Sequence, residues 1–169
     1  MTGGVRIEYE AIGVIRSPHK ELDGMPIQPS RARGVRGTVE LDPLYEDGLK
    51  DLGGFSHVIL LCHLHRARPH RLTVVPFLDT VERGLFATRS PSRPNPIGLS
   101  VVRLLSVDGH RLEVEDLDLL DGTPVLDIKP YVPEFDQRVE IRLGWLEEAR
   151  RRNAESDGRF EQSAAEQTE

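Results

Sequence analysis

Short apolar runs cut by glycine, proline and aspartate organise the first three quarters of this chain, and few of them carry a helical period. Residues 9–16 form such a run, stopped by Ser17-Pro18, and predict a strand. Residues 34–42 alternate, with Val35, Gly37, Val39 and Leu41 on one side and Arg36, Thr38 and Glu40 on the other, which predicts a half-buried strand. Asp42 as N-cap, Pro43 at the first helical position and Glu46-Asp47 in the first turn predict a short helix over 43–52, stopped by Gly53-Gly54. Residues 55–65 hold the uninterrupted Val58-Ile59-Leu60-Leu61-Cys62 and predict a central strand covered on both faces. One helical turn is expected within 77–84. Strands are expected over 97–107, 111–115 and 125–128, the first two joined at the hairpin signal Asp108-Gly109. A last helix over 141–152 should bury Trp145 and Leu146.

Many short strands with tight turns predict a mainly β chain: a small closed β-barrel or a sandwich with a few short helices. A doubly wound sheet is not expected, because G-x-G-x-x-G, phosphate-loop and nucleophile-elbow patterns are lacking. The organisation read here is a flexible start over 1–8, a barrel domain over 9–152 and a polar, disordered tail over 153–169.

With 169 residues, a net charge of -6 and one cysteine, the chain fits one domain without an intrachain disulfide or a cysteine-based zinc site. No apolar run is long enough to span a bilayer and the N-terminus lacks signal-peptide order, so a soluble, cytoplasmic protein without membrane contact is expected. Charge is uneven. Between His63 and Arg103 stand Arg66, Arg68, Arg71, Arg83, Arg89, Arg93 and Arg103 against only Asp79 and Glu82. Planar arginine donors suit phosphate or an RNA backbone, although a solvated face paired with acids elsewhere has the same composition.

Residues 86–100 break every regular pattern. Pro91, Pro94 and Pro96 fix their own φ and restrict Ser90, Arg93 and Asn95, so Arg89, Arg93 and Asn95 are presented on a stiff, non-helical segment. That segment is either a rigid inter-strand loop or one wall of a site. His57, His63 and His65 share a strand face; the His-x-His pair suits a metal or, with no third ligand evident, a hydrogen-bonded role, and no metal is expected. Asp116, Asp118 and Leu120 share a face if extended, and paired carboxylates suit acid–base work, while Asp121-Gly122-Thr123-Pro124 is also good turn chemistry. Lys129 and Tyr131 flank Pro130 and are restrained in direction; they suit substrate contact or an ordinary surface.

Together, Gly13-Val14-Ile15-Arg16-Ser17-Pro18, Phe55-Ser56-His57, Phe86-Ala87-Thr88-Arg89-Ser90, Arg93-Pro94-Asn95-Pro96-Ile97-Gly98-Leu99-Ser100, Asp121-Gly122-Thr123-Pro124 and Asp127-Ile128-Lys129-Pro130-Tyr131 resemble the TrmO (TsaA-like) tRNA methyltransferases, in order over 9–136. The resemblance implies an S-adenosylmethionine-binding β-barrel, a homodimer with the cofactor near its interface, and methylation of N6 of threonylcarbamoyladenosine beside the anticodon of a threonine tRNA. Carried over by motif, the cofactor contacts are Pro26, Ile27, Gln28, Leu64, His65, Arg89, Leu99, Asp118, Leu119, Leu120 and Asp121. Asp121, Lys129 and Tyr131 are the candidate catalytic residues, with Asp121 or neutral Lys129 accepting or orienting the N6 proton. The anticodon loop is the expected partner, since a single-stranded loop lets a base be splayed out at low cost. A cofactor-sensing protein without catalysis and a metal-dependent hydrolase built on His63 and His65 are the rival readings.

Overall fold

The computed structural model describes residues 4–21, 32–77 and 79–154, without side chains for the last four of these. The chain divides into two compact units, one made of Met1–His70 and Pro91–Gln137, the other of Arg71–Ser90 and Arg138–Glu169. None of the helices among the described residues is long and apolar enough to cross a membrane.

The first unit is a closed barrel. Its strands are β1 (Gly13–Arg16), β2 (Arg36–Leu41), β3 (His57–His63), β6 (Ile97–Asp108), β7 (Arg111–Glu115) and β8 (Pro124–Pro130), in the order β1-β2-β7-β6-β3-β8 with β8 returning to β1. Every pairing is antiparallel. Alternation sends Ile15, Val39, Leu41, Val58, Leu60, Cys62, Val102, Leu104, Leu112, Val114 and Val125 inward, where they form one apolar core. The chain therefore adopts the mainly β, closed-barrel class.

Several local expectations are corrected. Two 3-10 turns, Pro43–Leu49 and Leu52–Gly54, replace the helix expected over 43–52. Asp42 does cap the first, accepting from the Leu44 N–H at 2.9 Å. Gly48 weakens the helix from inside, and Asp51 interrupts it by taking a left-handed φ of 66°. Gly53 and Gly54 lie within the second turn rather than ending one helix. β3 is covered on its inner face only; His57, Ile59 and Leu61 are half-buried on the outside and His63 is exposed. The arrangement expected for Asp116, Asp118 and Leu120 also fails. Asp116 takes a φ of 66°, and Leu120 is buried while both aspartates are half-buried.

In the second unit, the helical turn expected within 77–84 gives way to a two-stranded sheet of β4 (Thr73–Val74) and β5 (Arg83–Gly84), with a 3-10 turn following at Leu85–Ala87. Local side-chain contacts close it: Thr73 Oγ1 donates to Glu82 at 2.8 Å and Arg83 pairs with the enclosed Asp79 carboxylate, four residues earlier, at 2.8 Å. The α-helix Trp145–Ala154 overlaps the terminal helix expected over 141–152 but starts four residues later. Trp145 is half-buried, donates from Nε1 to the Ala87 carbonyl at 2.9 Å, and receives the Arg83 guanidinium over its ring.

Candidate functional site

One end of the barrel gathers most of the candidate residues. The exit of β1, the exit of β3, the entry of β6 and the entry of β8 all lie there, as the registers Cys62 opposite Val125, His63 opposite Ile97 and Gly13 opposite Val125 require. Between β7 and β8 the chain crosses this end. Asp116 starts the crossing with its left-handed turn, and its carboxylate accepts from the Gly34 N–H at 2.8 Å. Leu117, Leu119 and Leu120 are buried under the crossing. Asp118 accepts a short 2.6 Å hydrogen bond from the buried Ser100 hydroxyl. Burial first, and then the Asp118 charge, push the Cys62 thiol up to about 12, so Cys62 is a packed thiol without nucleophilic character.

Asp121 fastens the crossing to the β1 exit. Its carboxylate accepts from the Ser17 N–H at 2.9 Å and pairs with the Lys20 ammonium at 2.8 Å. The Asp121 N–H in turn donates to the His19 carbonyl, and Gly122, at φ 76°, donates to the Ile15 carbonyl, both at 2.8 Å. The Lys20 hydrogen bond, with the Ser17 N–H second, holds the Asp121 carboxyl below its ordinary value. Such a carboxylate is a weak base and a strong anchor.

Leu64 and His65 follow β3 at the same end. The Leu64 N–H donates to the Pro96 carbonyl at 2.7 Å, which ties β3 to the proline segment. A Cβ on Gly98 would stand 2.8 Å from Leu64 Cδ2, so the glycine makes room for that side chain. His65 is held below its ordinary histidine value by desolvation, and then by Arg66 and His63, which favours the neutral imidazole. Arg66 donates to the Lys20 carbonyl at 3.3 Å and pairs with Glu21 at 3.1 Å. His19 and Lys20, which carried no role in the sequence reading, thus join the site, together with Ser17, which stood there only within a motif, and Arg66, which stood there only in the arginine-rich stretch; the pointer to His19 and Lys20 was the break at Ser17-Pro18 immediately after a strand.

Leu99 sits at this end of β6, but its side chain lies outside the barrel while that of Ser100 lies inside. Arg89 belongs to the second unit. Pro26, Ile27 and Gln28 lie outside the described residues. Lys129 and Tyr131 stand at the opposite barrel end, since β8 starts beside Asp121 and runs through Lys129; at about 3.3 Å per residue the strand separates them by roughly 15–20 Å. There Lys129 pairs with Asp127 at 2.6 Å, and Tyr131 donates its N–H to the His57 carbonyl while the two rings meet edge to face, 6.4 Å between centroids. Among the described residues no three His, Cys, Asp or Glu side chains form a cluster able to hold a metal. A groove of about 330 Å³ lined by Ile12, Leu41, Tyr45, Leu49, Asp127 and Ile128, among others, shares no residue with the Asp121 end.

Known proteins are similar to this chain in sequence and fold. A probable S-adenosyl-L-methionine-binding protein of Pyrococcus abyssi is 53% identical over 154 residues, covering 90% of this chain and 84% of that protein. The tRNA (adenine(37)-N6)-methyltransferase of Escherichia coli is 42% identical over 157 residues, covering 84% of this chain and 65% of that enzyme. The crystal structure of TrmO from Pseudomonas aeruginosa superposes with a TM-score of 0.71 at 44% identity, covering 83% of this chain and 62% of that one. This chain thus spans about three fifths of the solved protein. Residues 14–137, the stretch that holds all six barrel strands but for the first residue of β1, match the tRNA-methyltransferase O N-terminal domain, and the chain belongs to that family.

Proposed function

We propose that this protein is an S-adenosylmethionine-dependent tRNA adenine-N6 methyltransferase of the cytoplasm. Its substrate on this reading is threonylcarbamoyladenosine next to the anticodon of a threonine tRNA, and its working form is a homodimer. The observation that carries the reading is the convergence of three chain segments, Ser17–Lys20, Leu64–Arg66 and Asp118–Asp121, on one barrel end, within a chain 42% identical to the Escherichia coli enzyme.

The groups at that end suit the methyl donor. Leu64 offers an apolar surface, His65 a neutral imidazole, and Asp118 a carboxylate. Among the described residues, His19 Nε2 is an enclosed polar atom without a hydrogen-bond partner, which suits it to meet a polar group of the ligand. When bound, S-adenosylmethionine supplies an electrophilic methyl on a sulfonium, and in-line displacement asks the protein chiefly for alignment. Asp121 contributes by fixing the crossing segment to the β1 exit, not by taking a proton. Lys129 and Tyr131, remote within one chain, act on this reading at the partner's barrel end. The apolar outer face of β3 and β6 supports a second copy as its cover, and Arg66 and Arg68 supply cations for the anticodon-loop phosphates.

Mass spectrometry of threonine tRNA nucleosides tests the reading. A strain lacking the gene should lose the N6-methyl group on threonylcarbamoyladenosine, and purified protein should restore it with S-adenosylmethionine. Unchanged methylation in that strain, with no transfer in vitro, would defeat the assignment. A binding protein without catalysis is the second reading, favoured by the name of the Pyrococcus abyssi relative. Release of S-adenosylhomocysteine in the presence of tRNA separates the two.

A further inference from the structure

His19 has a backbone fixed at both polar groups and one side-chain nitrogen left over. Its N–H donates to Ser17 Oγ at 3.1 Å, and its carbonyl accepts from the Asp121 N–H at 2.8 Å. Pro18 stiffens the approach from the N-terminal side. On the other side Lys20 is held by its ion pair with Asp121 and by the Arg66 donor on its carbonyl. Nothing in this frame uses the imidazole. Its Nε2 is closed off from solvent and, among the described residues, has no hydrogen-bond partner. Among the described residues it is the sole enclosed side-chain nitrogen or oxygen in that position. A buried polar atom left unpaired costs free energy, and folds seldom carry one without a ligand or an ordered water to meet it.

We propose that His19 is a binding residue for the methyl donor, with Nε2 hydrogen-bonded to a neutral polar group of its nucleoside part. The inference rests on the cofactor reading above. Neutral chemistry is favoured for two reasons. An imidazole nitrogen can donate or accept according to tautomer, which matches a ribose hydroxyl or an adenine ring nitrogen. The charged amino-acid end of the donor instead needs free countercharge, and the carboxylate beside His19, that of Asp121, is already occupied by Ser17 and Lys20. The rigid attachment to Asp121 adds preorganisation, so little ordering is left for the binding step.

Calorimetry with S-adenosylhomocysteine and with methylthioadenosine, which lacks the amino-acid end, tests the proposal on the full chain. His19→Phe keeps the ring volume and removes the polar atom. It should weaken both ligands by the same factor, about tenfold, or ~1.4 kcal/mol, and His19→Gln should recover part of the loss. In the unmodified protein, the imidazole nitrogen resonances of His19 should shift when methylthioadenosine is added, a readout that does not depend on how a variant folds. Affinity unchanged in His19→Phe, or a loss confined to S-adenosylhomocysteine, would overturn the proposal while leaving the cofactor reading intact. Failure of the unmodified protein to bind either ligand would overturn both.

Discussion

Asp121 draws on two donors of different kinds, and each favours its ionised form: a backbone N–H from Ser17 and the ammonium of Lys20. The unfolded chain offers neither, so ionisation of Asp121 is linked to folding. An unfolded aspartate titrates near ~3.9, and the folded group titrates lower. Its contribution is therefore complete above about pH 4 and is lost as pH falls through the folded value. Asp121→Asn keeps an acceptor for the Ser17 N–H and removes the charge. Because Lys20 is largely exposed, the pair is a weak one, and the variant should lose only about 0.5–1 kcal/mol at pH 7. Thermal melts at pH 7, 5 and 3 check this: the difference in melting temperature should persist at pH 5 and shrink at pH 3. A difference that does not narrow at pH 3 would mean that the clamp does not depend on charge. The same ionisation argues against Asp121 as the acceptor of the N6 proton, a role that the residue types in the sequence had left open.

At the scale of elements, the contact between the β3 exit and the β6 entry decides where Leu64 stands. A methyl group added at Gly98 would meet Leu64 Cδ2 at 2.8 Å and Cγ at 3.2 Å, and the side chain rather than the backbone would give way. Gly98→Ala should accordingly fold, at a cost of about 1 kcal/mol or slightly more, while displacing Leu64 and weakening S-adenosylhomocysteine several-fold by calorimetry. Full affinity in that variant would remove Leu64 from the cofactor surface. Strand-level structure was the most legible part of the sequence: the alternation of β2, the Asp108-Gly109 hairpin and the turn at Gly122 each follow from local residue chemistry. What escaped depends on partners distant in sequence. The outer face of β3 shows that an unbroken apolar run identifies an inner strand without telling what lies over its other side. The β4–β5 pair is a different case: Asp79 and Arg83 stand at helical i,i+4 spacing, yet their ion pair and the Thr73–Glu82 hydrogen bond close a two-stranded sheet. Asp116 turns left-handed because its carboxylate finds the Gly34 N–H, 82 positions away. Of the site, the motifs indicated Leu64, His65 and Asp118 to Asp121, but not that Ser17, His19 and Lys20 are their immediate supports.

The outside of the barrel is two-sided. Across β1, β2 and β7, Glu40 bridges Arg16 and Arg111, Thr38 donates to Glu113, and Glu115 joins Arg36 and Arg103. On β6 the outward residues Ile97, Leu99 and Val101 are 44%, 52% and 37% exposed, Ile59 and Leu61 of β3 lie opposite Val101 and Leu99, and the outward Arg103 ends the apolar stretch. A charged ladder is well suited to water, whereas a contiguous apolar stripe of this kind calls for a cover. Two copies joined through it by a two-fold axis crossing the strands would run antiparallel. Each would then bring its Lys129 and Tyr131 to the partner's Asp121 end, which removes the roughly 15–20 Å that separates these groups along β8 in one chain. Val101→Glu places a charge in the stripe without touching the core, so it should fold and sediment at the 19.0 kDa monomer mass rather than at twice that value. Complementation then tests the geometry. Lys129→Ala and His65→Ala chains, each inactive alone, should regain about a quarter of unmodified activity when co-expressed in equal amounts. Half of the dimers are mixed under random pairing, and each mixed dimer holds one intact site built from both chains. If each site were instead confined to one chain, mixed dimers would hold no intact site, and the co-expressed pair would stay as inactive as its parents.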